Sequence, residues 1–142
     1  MSDYIPSAEL QARVVARRGQ LHAFTHMAPQ RTALVVVDMQ NAFVQQGAGH
    51  AWVPAAAATC GAINRLAEAL RHKGGTVVWI LNTFTEESLH SWSHFHEHLS
   101  SPAGLKLRSE TMSEGHMGHA LYSDLKAEAG DWHVPKTRYS AF

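Results

Sequence analysis

Ala33-Leu34-Val35-Val36-Val37-Asp38-Met39-Gln40-Asn41-Ala42-Phe43 is the stretch on which the fold turns. Its apolar positions run on without alternation, the pattern of a parallel strand covered on both faces, so residues 32–38 read as a first strand. The strand ends on a carboxylate, and open α/β sheets build their sites at the carboxyl ends of their strands. Such a buried acid is costly unless paired or hydrogen-bonded. Asp38 is therefore either a cap on the next turn or a working group.

Outward from that strand the chain keeps an α/β rhythm. After glycines at 47 and 49, Pro54 suits the first turn of a helix, and Ile63, Leu66 and Leu70 recur at helical spacing. Lys73-Gly74-Gly75 stops that helix, and residues 76–81 form a second apolar strand. A strand–helix–strand unit makes the two strands parallel neighbours, which points to the doubly wound α/β class. Leu89, Trp92, Phe95 and Leu99 predict a helix over 86–99, followed by an irregular loop above the strand ends. Residues 120–126 read as a short helix, and 132–135 as a third strand. Residues 1–30 form an N-terminal extension, with Ser7 capping a helix that starts at Ala8. Leu10, Val14 and Val15 share one side of it, expected to pack on the domain or on a neighbouring subunit.

The 142 residues suffice for one domain. Twelve basic and twelve acidic residues cancel, which argues against nucleic acid or an anionic membrane as partner. The single cysteine excludes an internal disulfide and fits a reducing compartment. The first thirty residues hold no signal-peptide core, and no stretch approaches a membrane span. A cytoplasmic protein is expected. Met39-Gln40-Asn41 after the first strand is no glycine-rich phosphate loop, so no dinucleotide or other cofactor is expected.

The second chemical signal is Val134-Pro135-Lys136-Thr137-Arg138-Tyr139-Ser140-Ala141-Phe142. Lys136 follows the third strand as Asp38 follows the first. A lone lysine is usually solvated, but beside a carboxylate it can hold a cysteine as thiolate while the acid shuttles its proton. Cys60 does not fit that part, because it lies in a helix among apolar neighbours and reads as a core residue.

Together, the two quoted segments resemble the isochorismatase-like cysteine hydrolases, over residues 31–142. The resemblance implies a Rossmann-like three-layer α/β/α domain with a parallel sheet of order 3-2-1-4-5-6. It also implies an Asp–Lys–Cys triad that cleaves C–N bonds of small amide, carbamoyl or ureido substrates, with Asp38 as general acid/base and Lys136 as thiolate-stabilising cation. The family's cysteine follows the fourth strand, whereas this chain supplies strands 1–3 only. Residues 31–142 are thus expected to be the N-terminal part of the domain, with a free edge on strand 1. The cysteine would come from a complementary C-terminal segment or chain of roughly 70–90 residues. Homo-oligomers are expected on the same resemblance. Two alternatives stay open: a non-catalytic or degenerate partner subunit, and a cysteine-free ether hydrolase of the isochorismate type.

The small-molecule substrate is expected over the strand ends. Asn82 is placed to hydrogen-bond a carbonyl or amide, Phe43 and Phe84 to wall the pocket, and Trp92 and Tyr139 to add to it. Each aromatic has a core-packing alternative. Gln40 is expected to brace the loop after Asp38. His94 and His98 stand one turn apart, but Asn82-Thr83-Phe84-Thr85-Glu86-Glu87 lacks the Asp-x-His spacing of metal-bearing relatives, so no metal is expected. His90, His96, His116 and His119 read as lid or interface residues.

Overall fold

The computed structural model describes residues 5–141. Residues 1–4 of the extension and Phe142 of the lysine segment lie outside them. Helix α1, Ala8–Arg18, begins where the sequence predicts: Ser7 Oγ accepts from Leu10 N–H at 3.2 Å, and Gly19 closes the helix at φ 76°. None of its residues is buried, so among the described residues Leu10, Val14 and Val15 are not packed into the domain core.

Three parallel strands form one sheet in the order β1-β2-β3: Ala33–Val37, Thr76–Asn82 and Trp132–Lys136. Val36 pairs with Trp79 and Trp79 with His133; Asn82 pairs with Lys136 at the carboxyl ends. Helix α3, Cys60–His72, covers one face. There Val36, Val77 and Trp79 pack with Ala67, flanked by Leu34, Met39, Ile63 and Leu121. Burial of such side chains is worth about 1.5–3 kcal/mol each, and it holds α3 on the sheet. Arg71 ties the other edge: its Nε donates to Asp131 Oδ1 at 2.9 Å, while Trp79 Nε1–H donates to Asp131 Oδ2 at 2.8 Å.

The opposite face departs from expectation. Val35 and Val37 remain 41% and 44% exposed, and across β2 from them Trp132 and Val134 on β3 are 65% and 37% exposed. Alternation along a strand turns these side chains away from α3, and β1 is an edge strand. The continuous apolar run is therefore covered on one face rather than two.

Other boundaries moved for local reasons. Pro54 lies in a turn; a 3-10 turn, Ala57–Thr59, leads into α3, and Leu66 faces solvent while Ala67 is buried. The short helix α2, Asn41–Val44, follows β1. The single helix expected over 86–99 is two, α4 (Glu86–Ser91) and α5 (Ser93–His98), broken at Trp92. The expected irregular loop contains α6, Pro102–Met112, capped by Ser101 Oγ, which accepts from Gly104 N–H at 3.1 Å. Ser101-Pro102 is a helix-start signal, a capping serine with proline at the first helical position. Residues 120–126 are not helical, because Leu121 bridges to Gln40 and Tyr122 N–H donates to Met39 C=O.

Candidate active site

Asp38 leaves β1 with φ 58°, one of two non-glycine residues in the left-handed region among those described. That conformation costs an aspartate on the order of 1–2 kcal/mol and persists where surrounding contacts impose it. Here its N–H still donates to Ile80 C=O at 3.0 Å, which holds the turn to β2.

Lys136 ends β3, two strands away. Neighbouring strands lie about 4.8 Å apart, so only a long side chain can span β2 to reach an acid on β1. Lys136 does so: its Nζ stands 2.9 Å from Asp38 Oδ2, and its side chain is 4% exposed. The ammonium also donates to Tyr139 C=O at 2.9 Å and Arg138 C=O at 3.3 Å. Three acceptors for three protons fix its position. The second oxygen of the acid, Asp38 Oδ1, is buried and has no partner among the described residues. An unpaired buried acceptor next to a cavity is a group waiting for a proton donor.

Gln40 sets the floor. Fully buried, it donates from Nε2 to Asn82 C=O at 3.0 Å and His119 C=O at 2.7 Å, and its Oε1 accepts from Asn82 N–H at 2.8 Å. It thus locks the carboxyl end of β2 to the loop after β1. His119 Nε2 lies 2.9 Å from Thr83 Oγ1, and burial pushes its imidazole pKa down.

A cavity of about 430 Å³ opens beside Asp38 and Asn82, while Lys136 lines a separate groove with Thr83, Thr85 and Arg138. Of the residues named from sequence, Asp38, Asn82, Phe43 and Tyr139 line the cavity. Phe84 and Trp92 do not: Phe84 packs edge-on to His96 at 6.1 Å, and Trp92 stacks behind Phe95 at 4.1 Å. Among the lining residues that sequence reasoning missed are Phe95, His50 and Arg108. Phe95 stood in the helical apolar rhythm without being assigned a side. Arg108 became visible only with α6, which carries it over Asn82; its Nη2 reaches Asn82 Oδ1 at 3.4 Å. Burial lowers the pKa of His50, and the Arg108 charge adds to that, so a neutral imidazole borders the cavity.

Cys60 is elsewhere. It opens α3, is 4% exposed and lines no part of the cavity; burial, then the charge of Asp124, raises its thiol pKa. His94 and His98 bring their rings within 4.8 Å on α5, yet among the described residues no three His, Cys, Asp or Glu side chains converge as metal ligands would. A groove of about 440 Å³ along α1, lined by Leu10, Val14 and Leu21, carries no comparable chemistry. Among the described residues no helix is long and apolar enough to cross a membrane.

The model of the isochorismatase domain matches residues 32–142. The chain belongs to the isochorismatase family. A ureidoacrylate amidohydrolase, RutB, from Serratia proteamaculans is 32% identical over 96% of this chain and 58% of its own length. Its counterpart from Pantoea ananatis is also 32% identical, over 93% and 56%. The chain thus spans little more than half the length of these curated relatives. Among solved structures, an isochorismatase family protein from Desulfovibrio vulgaris superposes with TM-score 0.59 at 27% identity, covering 78% of this chain and 54% of the other. An N-carbamoylsarcosine amidase from Thermoplasma acidophilum gives TM-score 0.53 at 26%, with the same coverage. The parallel sheet with its helices is the isochorismatase-like α/β fold, as expected from the two quoted segments.

Proposed function

We propose that this chain supplies the acid–base half of an isochorismatase-family hydrolase that cleaves C–N bonds in small amide, carbamoyl or ureido substrates. The observation that carries the reading is the Asp38–Lys136 pair: 2.9 Å apart at the carboxyl ends of β1 and β3, beside a cavity, with Asp38 Oδ1 buried and unpartnered. The names of the relatives, a ureidoacrylate amidohydrolase and an N-carbamoylsarcosine amidase, support the bond type.

In this mechanism Asp38 Oδ1 takes the proton of a thiol, and the thiolate attacks the carbonyl carbon of the substrate. Asp38 returns the proton to the leaving nitrogen as the C–N bond breaks, leaving a thioester. It then removes a proton from the water that hydrolyses the thioester, and the thiol is regenerated. Lys136 keeps a positive charge beside both anions, and its two backbone carbonyl acceptors stop it from swinging away. Asn82, fixed by Gln40, orients the carbonyl.

Cys60 is buried outside the cavity, so the sulfur is assigned to a residue outside residues 1–142. The free edge of β1 and the exposed Val35, Val37, Trp132 and Val134 favour the same arrangement: they suit further strands and a helical layer of the family domain. We assign that complement to a further segment or chain and expect the assembly to self-associate.

The test is turnover of ureido and amide compounds by the complete assembly, read as ammonia or amine release. Asp38→Asn should lower kcat by about 10²–10⁴-fold with an unchanged fold. Turnover close to wild type would exclude Asp38 as the proton carrier.

A further inference from the structure

Arg108 is a buried cation without a counter-ion. It is 7% exposed, and no carboxylate lies within ion-pair distance of it among the described residues. Among the described residues its Nε is buried with no hydrogen-bond partner, and its one hydrogen bond is the long one to Asn82 Oδ1 at 3.4 Å. Two aromatic rings hold it in place: the guanidinium carbon lies 5.7 Å from the centroid of Trp92 and 5.4 Å from that of Phe95. Those rings supply cation–π attraction but no hydrogen-bond acceptor, so the donor edge is left to the cavity. Burial acts to lower the pKa of Arg108, while the charges of Tyr139 and Asp38 oppose it. An arginine stays charged in such a site, and an uncompensated buried charge is expensive.

We propose that Arg108 is a specificity-determining residue that receives a carboxylate of the substrate. The assignment rests on the hydrolase reading above and names the substrate class for it: an amide or ureido acid, not a neutral amide. The site's charges favour a monoanion. Lys136 is matched by Asp38, His50 is neutral, and Arg108 alone is left with one positive charge. A phosphate dianion would bring a second negative charge toward Asp38 with no cation to meet it. The planar guanidinium fork also fits a carboxylate's two oxygens. With the acid end on Arg108, the scissile carbonyl extends past Asn82 toward Asp38, and Phe43 and Phe95 wall the short linker between them.

The experiment compares 3-ureidopropionate with its methyl ester on the complete assembly. Binding is read by calorimetry and by tryptophan fluorescence, and turnover is measured separately. The wild type should bind the acid about 30-fold more tightly than the ester or better, Arg108→Gln should bring the ratio close to one, and Arg108→Lys should restore part of it. An acid that binds no better than the ester, or not at all, overturns the assignment, as does a ratio that survives in Arg108→Gln. The wild-type ratio needs no variant, so a misfolded Arg108→Gln leaves the test standing. An intact ratio with no turnover of either compound would remove the hydrolase reading and keep the carboxylate site.

Discussion

Arg71 and Arg108 are both largely buried arginines, and they stand at opposite ends of the sheet. Arg71, on the last turn of α3, meets Asp131 with two nitrogens and Glu128 with a third, and Asp131 also takes the indole N–H of Trp79. Arg108, above the carboxyl ends, meets two aromatic rings and one distant amide oxygen. The pairing at the amino end locks helix to strand. The lack of pairing at the carboxyl end leaves charge available to a ligand. Stability and recognition are thus assigned to separate ends of one sheet, a division that parallel α/β folds make easy.

The contrast can be broken by removing either cation. Arg71→Met should destabilise the protein by about 3–5 kcal/mol in denaturant unfolding, because it strands the buried Asp131 carboxylate. A loss below 1 kcal/mol would mean that the clamp is incidental. Acid offers a second route. Burial works to raise the Asp131 pKa, but the hydrogen bond from Arg71 and those from Glu128 N–H and Trp79 outweigh it and hold it at about 2, against 3.8 unperturbed. A depressed carboxylate stabilises the fold fully above its unfolded pKa and loses that contribution as pH falls through the folded value. About 2 kcal/mol should therefore disappear between pH 4 and 2. His50, His96 and His119, each lowered first by burial, should add an earlier decline beginning below about pH 6.5. In Arg71→Met the step between pH 4 and 2 should shrink, and the histidine phase should remain. The smallest effect is expected at the other arginine. Arg108→Met keeps the bulk between Trp92 and Phe95 and removes an unpaired charge, so its melting temperature should stay within a few degrees of wild type or rise.

The same division decided how much could be read from sequence. The two strand-end motifs were legible because continuous apolar runs, a terminal Asp and a terminal Lys are local signals, and the register of β1, β2 and β3 then brings Asp38 and Lys136 together. Asn82 followed from its place at the end of β2. Arg108 was not legible: its side of α6 is set by Ser101-Pro102 starting a helix and by the break at Trp92, so its relation to Asn82 is tertiary. Phe84 was drawn toward the cavity by the family resemblance and Trp92 by its aromatic character, and the aromatic cluster around His96 and Phe95 claimed them instead. Coverage of β1 on both faces was inferred from its apolar run, which records what the strand can bury and not what lies over it in this chain.

Lys136 and Asp38 are proposed to act as one unit on a substrate carbonyl. Single-turnover mass spectrometry of the complete assembly with a ureido or amide acid measures it most directly. Wild type should show a transient thioester adduct on the cysteine, and Lys136→Ala should lose the adduct while keeping its melting temperature within a few degrees. A thioester forming at the wild-type rate in folded Lys136→Ala would rule out Lys136 as part of the reacting pair.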